Sequence, residues 1–113
     1  PMVNALMQGW RAASGLHRVE GVTRDLFRRP LLPDEFKGID AVVIDPPRAG
    51  ALAQVTELAR SPVNRIAFVS GNPATFARDA RILTDAGFNL DWVQVVDQFR
   101  WSAHVELAAQ FSR

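Results

Sequence analysis

The chain has 113 residues, 48% hydrophobic and 22% charged, with a net charge of +1. That is enough for one small globular domain or part of a larger one, and too apolar for a disordered segment. It has no cysteine, which excludes disulfides, zinc–thiolate sites, iron–sulfur ligation and catalysis by a thiol of its own.

No apolar run approaches the roughly 20 residues of a membrane span, and none reads as a signal peptide, so the expected location is the cytoplasm. The charge balance is a weak argument for nucleic acid. The isoelectric point near 9.2 overstates it. With no Tyr and Lys37 the only lysine, little titrates between His and Arg. The basic residues are otherwise arginines, which suits phosphate recognition but equally a compositional bias of the source.

In chain order, residues 2–14 read as an amphipathic helix, with Leu6, Trp10 and Ala13 near one stripe and Gly15 as a stop. Residues 16–23 read as a short strand. Residues 28–38, with Pro30 and Pro33, read as loop or a broken helical turn. Residues 39–45 are expected as a buried strand because Ala41 to Ile44 is a continuous apolar run. A helix over 49–61, a buried strand over 64–70 and a helix over 73–87 follow. The last of these has Pro73 at its first position and Gly87 at its end. Strands over 88–99 and 103–112 complete the chain. Helix and strand alternate until two strands follow each other directly. This predicts an α/β fold with a mostly parallel sheet and a closing antiparallel pair. The pattern matches the second half of the methyltransferase version of the Rossmann fold, without its first two strands.

In open α/β sheets, ligands sit at the carboxyl ends of strands. Three segments meet that condition. In "IDPPRAG" Asp45 ends a strand and two prolines stiffen the turn after it; the plainer reading is an Asp capping the next helix. In "SGNP" Ser70, Gly71 and Asn72 end the neighbouring strand before Pro73 opens a helix. An ordinary turn needing a glycine with positive φ explains that segment equally well. In "SAHVEL" His104 and Glu106 point to one face of a strand. No third metal ligand is evident, so no metal is expected. Glu106 is an acid in apolar company, and carboxylates so placed are either paired or suited to proton transfer.

Taken together and in this order, the three segments resemble the uracil-5-methyltransferase family of RNA-modifying enzymes. The family pattern is roughly D-P-P-R-x-G, S-C-N-P-x-T-x-x-R-D and D-x-F-P-x-T-x-H-V-E. Here these stand as Asp45 to Gly50, Ser70 to Asp79 and Asp97 to Glu106, and the likeness runs over nearly the whole chain. It implies S-adenosylmethionine as methyl donor and transfer RNA or ribosomal RNA as substrate. In that family a cysteine in the S-C-N-P turn attacks C6 of the uracil, C5 takes the methyl group, and a base removes the C5 proton. Carried over, Glu106 resembles that base. Asp45, with Pro46 and Asn72, resembles the group contacting the flipped-out base, Asp45 also lying near the methyl donor. Asp25 resembles the residue near the cofactor's adenine. Arg48 and Arg78 are expected to serve the fold or phosphate contacts.

Two departures matter. The nucleophile position is Gly71, and Arg100-Trp101 replaces a Pro-Gln-like pair. No glycine-rich cofactor turn precedes Asn4. The expectation is a carboxy-terminal piece of a longer enzyme, inactive alone and without bound cofactor. The sheet edge left by the missing strands would be exposed, covered by a rearranged element, or paired with a second copy as a homodimer. The alternatives are a nucleophile-less module that binds RNA or a partner, and a methyltransferase acting on nitrogen without covalent catalysis.

Overall fold

The computed structural model describes residues 19–96 and 106–113. The expected helix over 2–14 and residues 97–105, with His104 and Arg100-Trp101, lie outside the described residues. The strand expected over 16–23 is not present in its described part, residues 19–23. No described strand lies beside that segment to take up its ladder hydrogen bonds.

Four strands form one mixed sheet: β1 (Val42–Ile44), β2 (Arg65–Ser70), β3 (Asn89–Val96) and β4 (Glu106–Ser112), in the order β1-β2-β4-β3. β1 and β2 are parallel, while β4 runs antiparallel to both β2 and β3. The parallel share among the described residues is therefore one ladder of three, smaller than the alternating pattern implied. β1 is shorter than the expected 39–45. β2 starts only at Arg65, so Ile39 and Asp40 have no strand opposite them. Nor is it buried throughout, for Val43 is 74% exposed on the face away from the helices.

Helices α1 (Leu52–Ala59) and α2 (Pro73–Asp85) pack on the other face. There the alternating residues Ile66 and Phe68 of β2 and Leu107, Ala109 and Phe111 of β4 meet Val55 and Leu58 of α1 and Phe76, Ala80 and Leu83 of α2. The Phe76 ring stands edge-on to Phe68, with centroids 5.3 Å apart. Phe111 is fully buried, so truncating it to alanine would cost about 3–5 kcal/mol.

The helix ends follow local chemistry. At the start of α2, Asn72 Oδ1 accepts from the N–H groups of Ala74 (3.1 Å) and Thr75 (3.4 Å), with Pro73 at the first helical position. At its end, Gly87 takes φ +100°. The Phe88 N–H then donates to Leu83 O and the Gly87 N–H to Thr84 O, satisfying carbonyls the helix leaves open. The expected end of α2 at Gly87 is thus met by the glycine's role, with the helix proper stopping at Asp85. α1 starts three residues later than expected because Pro47–Gly50 is a turn, closed by the Gly50 N–H on Pro47 O at 2.9 Å. The segment 28–38 contains a 3-10 helix, Pro33–Phe36, as its prolines suggest.

Candidate functional site

The topology collects the candidate residues at one edge of the sheet. β1 and β2 are parallel, so their carboxyl ends coincide. β4 is antiparallel to β2, so its amino end is there too. Asp45 follows the last residue of β1, Gly71 follows the last residue of β2, and Glu106 is the first residue of β4. Asp45 is exposed and Glu106 half-buried.

Beside β1 lies a cavity of about 520 Å³. Its walls come from the loop after residue 24, the end of β1 and the inner side of α1. Asp25, Asp45 and Pro46 line it together with apolar groups that include Leu26, Phe27 and Phe36. Gly71, Asn72 and Glu106 are not among its lining residues. The site residues read from the sequence therefore divide in two: a cavity group (Asp25, Asp45, Pro46) and a strand-end group (Gly71, Asn72, Glu106).

The cavity wall is held by two groups that sequence reading missed. Gln54, buried on α1, accepts from the Leu31 N–H (2.8 Å) and donates to Leu31 O (3.0 Å), copying the pairing of a β-strand with one side chain. Arg24 donates to Arg29 O, Pro30 O and both carboxylate oxygens of Glu35. The Arg24 guanidinium, followed by the Leu32 N–H, holds the Glu35 carboxyl below its ordinary value. Asp25 is partly engaged in its own turn, Oδ1 accepting from the Phe27 and Arg28 N–H groups.

The strand-end turn differs from its plainer reading in a telling way. Gly71 does not adopt a positive φ. Among the described residues, a Cβ built on it would meet nothing within 4 Å. Neither the backbone nor the packing of the described residues requires a glycine there. Gly50 is the opposite case: φ is +84°, and a Cβ would meet Arg78 Nη2 at 2.5 Å and Asp79 Oδ2 at 2.9 Å.

Those two residues belong to a further set that ties the two turns together. Arg48 O accepts from Asn72 Nδ2 (2.9 Å) and Thr75 Oγ1 (3.1 Å). Ala49 O accepts from Arg78 Nη2 (3.1 Å), and the Ala51 N–H donates to Asp79 Oδ2 at 2.7 Å. Asp79, fully buried, also pairs with Arg78 at 3.0 Å. The side-chain amide of Asn72, read as a base contact, is thus engaged at both ends, on the α2 amino terminus and on Arg48 O. Arg78 serves the fold, whereas Arg48 is exposed with one longer bond, 3.4 Å, to Gly71 O. The 3-and-4 spacing of Asn72, Thr75, Arg78 and Asp79 is the signal that would have revealed the set, since it places them along one side of a helix.

Residues 22–113 match the family model for tRNA (uracil-5-)-methyltransferase. The chain belongs to the tRNA (uracil-5-)-methyltransferase family. Within that family, it is 51% identical over its whole length to an uncharacterized RNA methyltransferase of Caulobacter vibrioides, spanning 27% of that protein. It is 41% identical to the 23S rRNA (uracil(1939)-C(5))-methyltransferase RlmD of Acinetobacter baylyi, with 90% of this chain and 22% of the relative aligned. Among solved structures, the Pyrococcus abyssi tRNA (uracil-54, C5)-methyltransferase in complex with S-adenosyl-L-homocysteine superposes with a TM-score of 0.58. The match is at 42% identity and covers 66% of this chain and 18% of that one. The chain spans about a quarter of the length of the curated relatives it matches.

Proposed function

We propose that this chain is the carboxy-terminal portion of the catalytic domain of an S-adenosylmethionine-dependent RNA methyltransferase acting at uracil C5, in which Gly71 stands where the covalent nucleophile would be. The observation that carries the reading is the geometry at Gly71. The turn keeps its outline from Ser70 to Asp79, its glycine is required by neither φ nor packing, and Glu106 lies at the same strand end. The fold reading follows the same line. A parallel pair, then an antiparallel strand inserted before the penultimate one, is the carboxy-terminal half of a Rossmann-like methyltransferase sheet.

The cavity suits the adenosine end of the cofactor. It is mostly apolar, as a purine face requires, and has two carboxylates, Asp25 and Asp45, to accept from amino or hydroxyl groups. When bound, S-adenosylmethionine supplies an electrophilic methyl group on a sulfonium. The chain's own parts are then simple. Asp45 and Pro46 shape the boundary between cavity and strand-end turn. Glu106 takes the proton from C5 of the uracil. Asn72 and Ser70 hold the turn: the Ser70 hydroxyl accepts from the Asn72 N–H and donates to its carbonyl, both at 3.1 Å. Glycine offers no electron pair to attack C6, and a neighbouring serine without a paired base is a poor substitute. The chain as it stands therefore performs no covalent catalysis. Its setting is the cytoplasm, where its RNA is found.

A graft tests this. Residues 22–113 replace the matching segment of the Acinetobacter baylyi relative, and the chimera is given tritiated S-adenosylmethionine and unmodified ribosomal RNA. The Gly71 chimera is expected to form no 5-methyluridine, and Gly71→Cys to restore it. Adding Glu106→Gln to the restored chimera should leave enzyme covalently attached to RNA, because the adduct cannot lose its C5 proton. Methylation by the Gly71 chimera, or a Glu106→Gln chimera that turns over normally, would sink the reading. In the isolated chain, Gly71→Cys is expected to give no methyl transfer.

A second reading, favoured by the same missing side chain, is a module that binds RNA without modifying it. RNA binding by the isolated chain in the absence of cofactor is its mark.

A further inference from the structure

The turn that leads into α1 is held from a distance. The residue just before the helix is Ala51, which has no side chain able to cap. A serine or aspartate at that position would cap it locally. The N–H of Ala51 itself, a donor such a cap would leave open, is bonded to Asp79, 28 residues away on α2 and fully buried. Arg48 and Ala49, earlier in the same turn, are held the same way, Arg48 O by Asn72 and Thr75, and Ala49 O by Arg78. Every one of these bonds goes to backbone, so they fix the course of the chain rather than any side chain of the turn. Gly50 completes the fit, since any larger residue would strike Arg78 and Asp79.

The relation between the two turns explains the arrangement. Ile44 pairs with Phe68; Asp45 stands one position beyond that pair on β1, and Gly71 three positions beyond it on β2. Past the ladder, no strand pairing holds the two turns in register. Asn72, Thr75, Arg78 and Asp79 take over that task from one side of α2. We infer that Asp79, with Arg78 and Thr75, is a positioning group that locks the Asp45–Ala51 turn to the Ser70–Asn72 turn, so that the cavity group and the strand-end group move as one body. This deepens the proposed function, on which the meaning of Asp45 and Gly71 rests, yet its geometry is testable without RNA or cofactor.

The absence of native cysteines makes a direct test available. In the Asp45→Cys/Gly71→Cys chain, a short bismaleimide bridges the two thiols, and the bridging rate is divided by the single-site labelling rates. Adding Asp79→Asn, which keeps the side-chain volume, should slow bridging roughly tenfold through loss of effective concentration. Arg113→Ala, which weakens the fold at the opposite end of the sheet, should leave the rate unchanged. Thr75→Val gives the same direction with a smaller change, and serves if circular dichroism shows the Asp79 variant unfolded. The inference is overturned if the parent pair does not bridge, if Asp79→Asn and Thr75→Val bridge at the parent rate, or if Arg113→Ala slows bridging equally. None of these outcomes depends on methyl transfer, so a failed graft and a failed lock are told apart.

Discussion

Gly71 and Glu106 stand opposite each other across the end of the β2–β4 ladder. Ser70 pairs with Leu107 as its last step, and one residue further the register sets the glycine against the acid. On its other side Glu106 pairs with Val96 of β3, while among the described residues nothing lies within 4 Å of a Cβ built on Gly71. A side chain added at position 71 would enter the region Glu106 borders.

Gly71→Cys should therefore be nearly neutral for folding, within about 0.5 kcal/mol, as for substitutions that meet no packed neighbour. Gly50→Ala should cost about 2 kcal/mol or more, through both its positive φ and the clash with Arg78 and Asp79. Chemical denaturation of the two variants side by side checks the contrast. Equal costs would show that the two glycines are not distinguished by the fold.

Arg113→Ala should destabilise by about 1–3 kcal/mol. Its guanidinium donates to Ala59 O, Ser61 O, Val63 O and Ala86 O, and lies 4.0 Å from the centre of the Phe88 ring. It thus serves the carboxyl ends of both helices at once, where a cation is also favoured by the helix dipoles. Arg113→Lys should recover only part of the loss, because a single ammonium cannot reach that many carbonyls. Thermal melting of the three proteins is the measurement.

Gln54→Ala should leave the Leu31 N–H and carbonyl without their partners, costing about 1–3 kcal/mol locally. Hydrogen exchange at Leu31 should rise markedly, with the amides of β2 unchanged. Uniform acceleration across the protein would mean the residue serves global stability rather than the cavity wall.

Acid should loosen the same wall from its other anchor. The Glu35 carboxyl is held below its ordinary value of 4.5, first by the Arg24 hydrogen bond and then by the Leu32 N–H. A lowered native value means its contribution is present above the unfolded value and is lost as pH falls through the native one. Protection of the Leu32 amide should fall in that window below 4.5 and remain flat above it. Glu35→Gln should remove the pH dependence.

Apolar runs and punctuating Pro and Gly made the packed elements legible. The Pro73–Gly87 frame of α2 is a local signal, and the helix stands inside it; the strand expected over 64–70 stands at Arg65–Ser70, but it is buried on the helix face only, with Arg65 and Ala67 exposed. Motif spacing made the family legible. The strand over 16–23 misled because a strand exists only with a neighbour, and alternation in one segment says nothing of its neighbour. Asn72 was legible only in part. Its type and place fit a base contact, but both ends of its amide meet backbone that a linear reading cannot place nearby. The Gln54–Leu31 and Asp79–Ala51 bonds were hidden for the same reason, each joining segments more than twenty residues apart.

The strand order β1-β2-β4-β3 carries a consequence for how the chain acquires its shape. β3 precedes β4 in the chain, yet among the described residues it bonds to no strand except β4. It must wait until the later strand enters beside β2, and even then Leu90, Trp92, Val93 and Val95 stay exposed. Such distant pairings form slowly and leave open edges meanwhile. A chain interrupted after Val96 would hold β1, β2 and both helices together but leave β3 without a place, making that strand the segment most prone to pair with a neighbouring molecule.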